Sequence, residues 1–387
     1  MRILHTSDWH VGRTFHGRDL LAEQESVLGA IADLVADERV DVVLVAGDLY
    51  DRAVPSAEAV AVCARVLSRI RRAGAELVIT SGNHDSAPRL GVFGEFAAAG
   101  GLHLRTRIAE LDSPVLLADS DGPVALYGIP YLEPDLAAGP LGVSDRRGHQ
   151  AVLDAAMHRV RADLAERGGS AAGVRSVVLA HAFVTGGQAS ESERTIAVGG
   201  MEQVPGTVFD GVDYVALGHL HGPQTLAERL RYSGSPIAYS FSEARQHKSV
   251  WLVELGPAGL TGVERRDLPV PRRLATLRGE LSDLLADPAN ESVVDRYLSV
   301  TLTDPVRPVD AMRRLQERFP FAVRMEWQPE NGDLLGPLRY RKRTSGRDDI
   351  ELAAGFLADC RGGEPNAVER RLLAEAFAAA RRAEGAE

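Results

Sequence analysis

Short apolar runs alternate with amphipathic segments over the first two thirds of the chain. Each apolar run is about five to seven residues long, the length of a buried β-strand. The predicted strands cover residues 2–6, 40–46, 75–80, 124–129, 176–180 and 212–217, and runs at 231–233 and 249–255 are predicted to form strands of a second sheet. Apolar residues spaced three and four apart predict helices at 21–38, 57–73 and 149–167. Strands alternating with helices in this order predict a layered α/β domain that ends near residue 264.

Polar residues that can bind metal follow five of the predicted strands. They are Asp8 and His10, then Asp48 and Asp51, then Asn83, His84 and Asp85, then His181, and finally His219 and His221. In an open α/β sheet, the loops at the carboxyl ends of the strands converge on the ligand site. We therefore expect these side chains to lie together, although Gly82-Asn83-His84-Asp85 taken alone is also ordinary turn sequence. The remaining histidines are interpreted as core or surface residues: His5, His16, His103, His149, His158 and His247.

The spacing and chemistry of these residues predict a two-metal site. Asp8 and His10 are two residues apart, as are His219 and His221, so on an extended backbone each pair points to one side. Asp48 has two carboxylate oxygens and can bridge two ions. Oxygen and imidazole ligands without a thiolate favour Mn²⁺ or Fe²⁺ over Mg²⁺ alone and disfavour a closed structural zinc site. Two ions about 3.5–4 Å apart are the arrangement that activates water for displacement at phosphorus.

Five motifs in this order resemble the calcineurin-like metallophosphoesterase superfamily. They are DWH (8–10), GD (47–48), GNHD (82–85), AHA (180–182) and GHLH (218–221). Three longer stretches resemble, within that superfamily, the SbcD family of nuclease subunits: MRILHTSDWHVG at the start, SESERTIAVGG (190–200) and RYSGSPIAYSFSE (231–243). The resemblance is continuous over about residues 1–270 and looser beyond.

The resemblance implies a role for each site residue. One metal would be held by Asp8, His10, Asp48 and His221, and the second by Asp48, Asn83, His181 and His219. His84 would not bind metal; it would steady the transition-state phosphate or protonate the leaving oxygen, with Asp51 as the candidate orienting partner. Asp85 is expected to accept backbone hydrogen bonds in its loop. Arg52 and Arg89 are candidates for phosphate contacts, with a solvated or ion-paired role at least as well supported.

The fold and activity follow from the same resemblance. It implies a two-sheet metallophosphoesterase sandwich flanked by helices over residues 1–267, a small α+β capping domain at 272–337 that binds DNA, and a helix-loop-helix at 346–383 that binds the SbcC ATPase. The expected enzyme is a two-metal, Mn²⁺-dependent DNA exonuclease on duplex ends and endonuclease on single strands or hairpins. It would be the catalytic subunit of an ATP-driven complex acting in DNA repair, recombination and replication, and it would form a homodimer.

The strand and helix pattern after residue 267 predicts a small α+β segment followed by two helices. Leu268-Pro269-Val270-Pro271 is a stiff connector. Strands at 274–277, 297–303 and 322–327 alternate with helices at 280–285 and 309–318. A basic segment at 339–343 precedes helices at 348–360 and 365–382, with the break at Gly362-Gly363 and Pro365 in the first turn of the second helix. Both helices carry an apolar stripe that packs internally or docks on a partner. Four arginines of the capping segment are candidate DNA contacts, with plain solvation as the alternative: Arg272, Arg273, Arg313 and Arg314.

Composition narrows the function classes. The formal net charge of −10 argues mildly against a surface that attracts polyanions everywhere, but a local basic patch suffices for DNA. No apolar run is long enough for a membrane span and no secretory signal is evident, so we expect a cytoplasmic protein with Cys63 and Cys360 reduced. Two alternatives remain: a phosphatase or cyclic-nucleotide phosphodiesterase acting on a small substrate, and a metal-free scaffold with the same fold. The roughly 120 residues after the first domain favour the nuclease, and every ligand position is filled, which disfavours the scaffold.

Overall fold

The computed structural model describes residues 1–144, 148–168, 173–193, 203–329, 348–361 and 363–384, without the side chains of 359–361 and 383–384. The chain divides into two compact units, Met1–Arg272 and Arg273–Glu387. None of the helices in these residues has the length and apolar content needed to cross a bilayer.

The first unit contains two six-stranded sheets. The first sheet is formed by β1 (Arg2–Thr6), β4 (Val42–Ala46), β5 (Glu76–Thr80), β6 (Leu102–Arg105), β13 (Ser249–Gly256) and β14 (Gly259–Asp267), in the order β14-β13-β1-β4-β5-β6. The second is formed by β7 (Val115–Asp119), β8 (Gly122–Ile129), β9 (Arg175–His181), β10 (Tyr214–Gly218), β11 (Gln224–Ala227) and β12 (Leu230–Tyr232), in the order β11-β12-β10-β9-β8-β7. A small hairpin, β2 (Thr14–Phe15) and β3 (Arg18–Asp19), follows β1.

Helices flank the two sheets. They are α1 (Leu21–Asp37), α2 (Ala57–Arg72), α3 (Ala87–Leu90), α4 (Gly94–Ala99), α5 (Pro134–Leu141) and α6 (His149–Glu166). Short 3₁₀ helices occupy Ile108–Glu110, Gly206–Phe209 and Phe241–Glu243. The predicted helices at 21–38, 57–73 and 149–167 therefore agree with α1, α2 and α6 to within one residue.

The core explains why the central strands are almost continuously apolar. Strands β1, β4 and β5 are parallel to one another, as are β8, β9 and β10. Side chains from the facing sides of the two sheets form one buried cluster that includes Ile3, Leu44, Val78, Val177 and Leu179. The opposite face of the second sheet packs on α6. Strands buried on both faces lose the alternation of polar and apolar residues. The predicted α/β two-sheet sandwich flanked by helices is confirmed.

One strand assignment was wrong. The runs at 231–233 and 249–255 were placed together in a second sheet, but they belong to different sheets. Strand β12 pairs with β10 in the second sheet, whereas β13 pairs antiparallel with β1 in the first. The indole N–H of Trp251 on β13 donates to the carbonyl of Tyr232 on β12 across the sandwich. An apolar run predicts a strand but does not say which strand will be its hydrogen-bonding neighbour.

The second unit starts with a small α+β layer. Strands β15 (Leu274–Gly279), β16 (Tyr297–Leu302) and β17 (Ala322–Trp327) form a parallel sheet, with α7 (Leu281–Ala286), a 3₁₀ helix (Pro288–Val293) and α8 (Ala311–Arg318) between them. Its core contains Leu281, Leu298, Val300, Leu315 and Phe319. The predicted α+β character of this segment is confirmed, while its role as a capping or DNA-binding domain stays a prediction.

Two helices complete the unit: α9 (Asp349–Arg361) and α10 (Ala367–Glu384). The prediction that Pro365 lies in the first turn of the second helix was wrong. Asn366 caps α10 instead, because its side-chain oxygen accepts the N–H groups of Val368 and Glu369 at 2.9 and 3.0 Å. The carboxylate of Glu369 accepts the N–H of Asn366 at 2.7 Å, which completes a capping box. The predicted basic segment at 339–343 and Gly362 lie outside the described residues.

An ion pair between Arg175 and Asp119 gives a stability prediction for the first unit. Arg175 is buried and its guanidinium makes two hydrogen bonds to the Asp119 carboxylate, at 2.6 and 3.0 Å. It also donates to the carbonyls of Gly122 in the second sheet and Leu255 in the first. We expect Asp119→Asn to lower the free energy of unfolding at neutral pH by about 2–3 kcal/mol, less than a fully buried pair because Asp119 is 20% exposed.

The stability lost in Asp119→Asn should become smaller as the pH falls into the acid range. The hydrogen bonds from Arg175 hold the pKa of Asp119 below its ordinary 3.8, so this contribution is complete above pH 3.8 and disappears as the pH falls further. Urea titrations of both proteins at neutral and acidic pH measure it. Asp33→Asn, which breaks an exposed pair with Arg69, is the control and should change stability little. Equal losses for the two variants would contradict the prediction.

Candidate metal centre

The ends of five strands bring the predicted ligands into one buried cluster. Asp8 and His10 follow β1, Asp48 follows β4, Asn83 and His84 follow β5, His181 ends β9, and His219 and His221 follow β10. All of these are buried except Asn83, which is half-buried. The first three strands belong to one sheet and the last two to the other, so the cluster lies where the carboxyl edges of the two sheets meet.

The backbone at four of these residues is in a conformation that L-amino acids rarely adopt. Asp8, His10, Asp48 and His219 have φ angles of 53°, 45°, 51° and 108°. Such positions cost on the order of 1–3 kcal/mol each and persist only where surrounding contacts hold them. Here the N–H of Asp8 donates to the carbonyl of Gly47, and the N–H of His10 to the carbonyl of Asp48. The expectation of an extended backbone through Asp8 and His10 was therefore wrong, although their side chains still converge.

Ligand atoms approach one another closely. In the part of the chain that the structure describes, three groups have atoms within 4.8 Å of one another: Asp8, His10 and His221; Asp8, Asp48 and His181; and His10, Asp48 and His84. His10 Nε2 lies 3.1 Å from His221 Nε2 and 3.6 Å from Asp48 Oδ2. His181 Nε2 lies 2.9 Å from Asn83 Oδ1 and 3.5 Å from Asp48 Oδ2. Asp48 therefore lies between the two predicted ligand sets.

His219 stands slightly apart from these groups. Its ring centre lies 5.3 Å from that of His181, and it belongs to none of the three groups. Its backbone N–H donates to both carboxylate oxygens of Asp8, at 3.0 and 3.1 Å. His219 is thus placed beside the second predicted ligand set and also holds Asp8 in position.

The electrostatics of the cluster fit a cation. Burial and neighbouring histidines lower the pKa of His10 and His219 well below 6.5, and burial lowers that of His181 to about 4. These imidazoles are neutral at pH 7, the form that binds metal. Burial and the adjacent Asp48 raise the pKa of Asp8 well above 3.8, because two buried carboxylates repel each other. Two nitrogen ligands on one ion are about 3.0–3.4 Å apart at ordinary bond lengths and angles, close to the His10–His221 separation. The residues therefore fit divalent metal.

His84 is oriented differently from the prediction. Its Nδ1 lies 2.8 Å from the backbone carbonyl of Asp51, while the Asp51 carboxylate is 3.8 Å away and beyond hydrogen-bonding distance. The Asp51 carboxylate also lies near two arginines, 3.7 Å from Arg13 and 3.6 Å from the largely exposed Arg52. A carbonyl can accept only from a protonated Nδ1, so the orienting contact comes from the main chain of Asp51 and not from its side chain.

Asp85 has the structural role expected of it. Its carboxylate accepts the N–H groups of Leu49, Tyr50 and Gly82 at 3.0–3.1 Å. These bonds tie the Gly82–Asp85 loop to the loop that carries Asp48. Gly82 itself leaves no room for a side chain, because a Cβ there would lie 2.2 Å from Asp48 Oδ1. The prediction for Asp85 is confirmed.

Several residues around the cluster were not assigned a role from the sequence. Gln24 of α1 is buried and its amide donates to the carbonyl of His10 at 2.7 Å. Arg13 lies over the ring of Tyr239, 4.9 Å from its centre, and donates to the carbonyl of Ser192. The available signal for Gln24 was a polar residue on the apolar face of an otherwise regular amphipathic helix. Nothing in the local pattern marks Arg13.

The other histidines behave largely as predicted where the structure describes them. His5 is a core residue that bonds to the hydroxyl of Tyr214 and the carbonyl of Leu217. His149, at the start of α6, is buried beside Tyr131, whose ring in turn faces His181. It also helps to lower the pKa of His219, so it lies nearer the cluster than a core assignment implied.

Comparison with known families agrees with this geometry. The family model described as calcineurin-like phosphoesterase matches residues 1–223. The SbcD_C model, described as the type 5 capsule protein repressor C-terminal domain, matches residues 270–360. A solved structure of a dimetal phosphatase from Danio rerio aligns with 69% of this chain and 98% of its own, at 14% identity and a TM-score of 0.37. The first match covers more than half of the chain and includes the buried cluster up to His221, so the chain belongs to the calcineurin-like phosphoesterase family and is a metal-dependent phosphoesterase.

Proposed function

We propose that this phosphoesterase is a DNA nuclease of the SbcD type, the catalytic subunit of an ATP-driven complex with SbcC. The observation that carries the proposal is the SbcD_C match at residues 270–360, which follows in the sequence a phosphoesterase match over residues 1–223 in which every predicted ligand position is filled. A family match to the second segment separates this chain from phosphoesterases that consist of the catalytic domain alone.

Two divalent ions, most suitably Mn²⁺, would be held by the predicted ligands. Asp8, His10, Asp48 and His221 would hold one, and Asp48, Asn83, His181 and His219 the other. When bound, the ions would activate the attacking water and offset the charge that builds on the phosphoryl oxygens. The side chains that surround them exclude bulk water, which strengthens these interactions.

His84 would act on the substrate without binding metal. With Nδ1 donating to the Asp51 carbonyl, Nε2 would be the nitrogen that acts on the phosphodiester. In the imidazolium form Nε2 carries a proton that it can donate to a phosphoryl oxygen or give to the leaving oxygen. Because His84 also lies in a group with His10 and Asp48, a ligand role is the rival assignment that an experiment has to exclude.

The expected activity is Mn²⁺-dependent cleavage of DNA. We expect the purified chain to cut duplex ends and single strands, faster with SbcC and ATP, and to be inactive when chelator replaces Mn²⁺. Assays on duplex DNA, single-stranded DNA and a small phosphodiester measure this. Hydrolysis of the small ester alone, with no cleavage of DNA in either form, would replace the nuclease by a small-substrate phosphatase or cyclic-nucleotide phosphodiesterase.

The two C-terminal helices are proposed to dock on SbcC. Phe356 of α9 and Val368 and Leu372 of α10 are 55–60% exposed, so part of the predicted apolar stripes faces solvent in the portion of the chain that the structure describes. Exposed apolar residues spaced along a helix are the usual anchors of helix-in-groove recognition. Similarly, Val92, Phe93 and Phe96, which follow the Gly82–Asp85 loop, are exposed and support the proposed homodimer.

Removal of these helices should separate partner binding from chemistry. We expect deletion of residues 346–387 to abolish co-purification with SbcC but to leave Mn²⁺-dependent hydrolysis of a small phosphodiester intact, because the metal cluster lies in Met1–Arg272. Leu372→Asp should have the same effect with the helices present, and Glu375→Gln, at an exposed ion-paired position of α10, is its control. Retained association of the deletion variant would refute the docking role.

A further inference from the structure

A buried chain of hydrogen bonds runs from Lys248 through Glu243 and Ser192 to the ring of His221. All four side chains are nearly inaccessible to solvent. Ser192 Oγ lies 2.5 Å from His221 Nδ1 and also bonds to Glu243 Oε1. The other carboxylate oxygen of Glu243 accepts from the ammonium of Lys248. A buried glutamate, lysine and serine that all point to one histidine are unusual, because burying two charges is costly unless they are paired.

The direction of each hydrogen bond in this chain follows from the groups themselves. Glu243, with the Lys248 ammonium against it, is a carboxylate and can only accept. The single hydroxyl proton of Ser192 is therefore donated to Glu243. Ser192 Oγ must then accept from His221, so Nδ1 of His221 carries a proton. The single hydroxyl proton of Ser190 lies between Glu193 Oε2 at 2.7 Å and Ser192 Oγ at 2.9 Å, so Ser190 supplies no proton to Nδ1 of His221 and does not change this assignment.

Metal binding requires a ring with a single proton, and with that proton on Nδ1 the lone pair that can bind the ion is on Nε2. His221 Nε2 is the atom that faces His10 Nε2 at 3.1 Å, and His221 belongs to the same group of ligand atoms as Asp8 and His10. A histidine binds metal only through an unprotonated nitrogen, and the bond made by the second nitrogen decides which one that is.

The backbone of His221 is held by the same residues and their neighbours. Its N–H donates to Glu193 Oε1 at 2.8 Å, and its carbonyl accepts from Lys248 Nζ at 2.8 Å. Glu193 is in turn fixed by the N–H and hydroxyl of Ser190, both at 2.7 Å. Residues 190–193 and the Glu243–Lys248 pair thus hold His221 at its ring and at both of its backbone polar groups.

We infer that Ser192 and Glu243 are positioning residues that fix the tautomer of His221 and so prepare its Nε2 for the metal ion. The inference rests on the proposed role of His221 as a ligand. It gives a specific task to the two stretches, 190–193 and 243–248, which come from separate loops, bond to each other through Ser192 and Glu243, and both contact this histidine.

Ser192→Ala is the direct test. Loss of the hydroxyl removes the acceptor for Nδ1–H, so ¹⁵N spectra of histidine-labelled, metal-free protein should show His221 changing from one tautomer to a mixture. Mn²⁺ affinity measured by calorimetry should fall about 10- to 100-fold, the usual effect of removing an outer-shell partner. Ser192→Thr keeps the hydroxyl, so it should show the single His221 tautomer and the Mn²⁺ affinity of the unmodified protein. Ser242→Ala, which removes a nearby hydroxyl that does not contact His221, is the matched control.

Glu243→Gln should reverse the chain of hydrogen bonds. The amide oxygen will face Lys248, so its NH₂ group will face Ser192 and make the hydroxyl donate to Nδ1. His221 should then carry its proton on Nε2 and bind Mn²⁺ more weakly than in Ser192→Ala. This result differs from simple loss of packing, which would not change the tautomer.

The outcomes separate this inference from the proposed function. If His221→Ala lowers Mn²⁺ affinity while Ser192→Ala leaves both the affinity and the tautomer unchanged, the positioning role is wrong and the ligand role stands. If His221→Ala itself binds Mn²⁺ as the unmodified protein does, the ligand assignment fails first. Chemical denaturation of each variant establishes that it is folded under the conditions of the titration.

Discussion

Replacing Asp48 with asparagine is expected to stabilise the metal-free protein and to remove most of its response to divalent metal. Burial raises the pKa of Asp8 well above 3.8, and repulsion by the adjacent, equally buried Asp48 carboxylate raises it further. A carboxyl whose pKa is higher in the folded than in the unfolded protein destabilises the folded state at every pH above the unfolded pKa. The stability gained by Asp48→Asn should therefore be present at neutral pH and disappear below about pH 3.8. We expect a gain on the order of 1 kcal/mol, within the usual range for the interaction between two side chains in contact.

The same substitution should weaken metal binding more than any outer-shell change. Asp48 approaches ligand atoms of both predicted sets, at 3.6 Å from His10 and 3.5 Å from His181. The loss of Mn²⁺ affinity should therefore exceed the about 10- to 100-fold of an outer-shell variant, and hydrolysis should fall with it. Asparagine keeps an oxygen that can accept the N–H of His84, now bonded to Asp48 Oδ1 at 2.8 Å, so the loop should survive.

Thermal melts in chelator and in excess Mn²⁺, with calorimetric titration, measure both effects of Asp48→Asn. In chelator the variant should melt above the unmodified protein, and in Mn²⁺ below it. Asp33→Asn, at an exposed carboxylate, is the control and should change neither curve. A variant that melts lower in chelator would show that repulsion between the two carboxylates does not govern the empty site.

His84→Ala is expected to lower the rate of phosphodiester hydrolysis by about 10²- to 10⁴-fold while Mn²⁺ affinity stays unchanged. That range is typical when a positioned acid or base is removed. Metal affinity should survive because the ring is held through Nδ1 by the Asp51 carbonyl and is assigned to the substrate. A parallel fall in Mn²⁺ affinity would instead identify His84 as a ligand together with His10 and Asp48.

The leaving group separates the two proposed tasks of His84. If the residue protonates the leaving oxygen, an ester with a nitrophenolate leaving group should be cleaved by His84→Ala at nearly the normal rate, because that group departs without a proton. If the residue steadies the transition-state phosphate, His84→Ala should lower the hydrolysis rates of activated and unactivated esters by the same factor. His103→Ala, at a partly exposed histidine that pairs with Glu76, is the control for removal of an imidazole elsewhere.

Much of this site could be predicted because its information is local. Asp8, Asp48, Asn83, His181 and His219 each stand at or just after a clear apolar run, and parallel strands bring such positions to one edge. The sandwich and the α+β segment were predictable for the same reason, since period and run length are local properties of the chain. The ligand roles within the cluster remain predictions.

The remaining features depend on contacts that no local pattern contains. Strand β13 pairs with its sequence neighbour β14 and also with β1, from which it is separated by most of the first unit. The atom that orients His84 is the main-chain oxygen of Asp51. Every residue has such an oxygen, so the sequence indicated only the Asp51 carboxylate as a candidate partner. Glu243 was visible within RYSGSPIAYSFSE, but its link to His221 passes through Ser192 from another loop. Backbone strain at Asp8 and His10 likewise follows from bonds to the next loop.

The position of the cluster between two sheets has a consequence for the lifetime of the protein. Two of the three groups of ligand atoms join the sheets: Asp8 and His10 with His221, and Asp8 and Asp48 with His181. A divalent ion in either group would be a reversible cross-link, which in the first group joins chain positions as far apart as Asp8 and His221. Unfolding then has to release the ion as the sheets separate, so saturating Mn²⁺ should slow both unfolding and proteolysis, and chelation should accelerate them. Metal supply would thereby govern how long each molecule persists, even in a variant that cuts no phosphodiester.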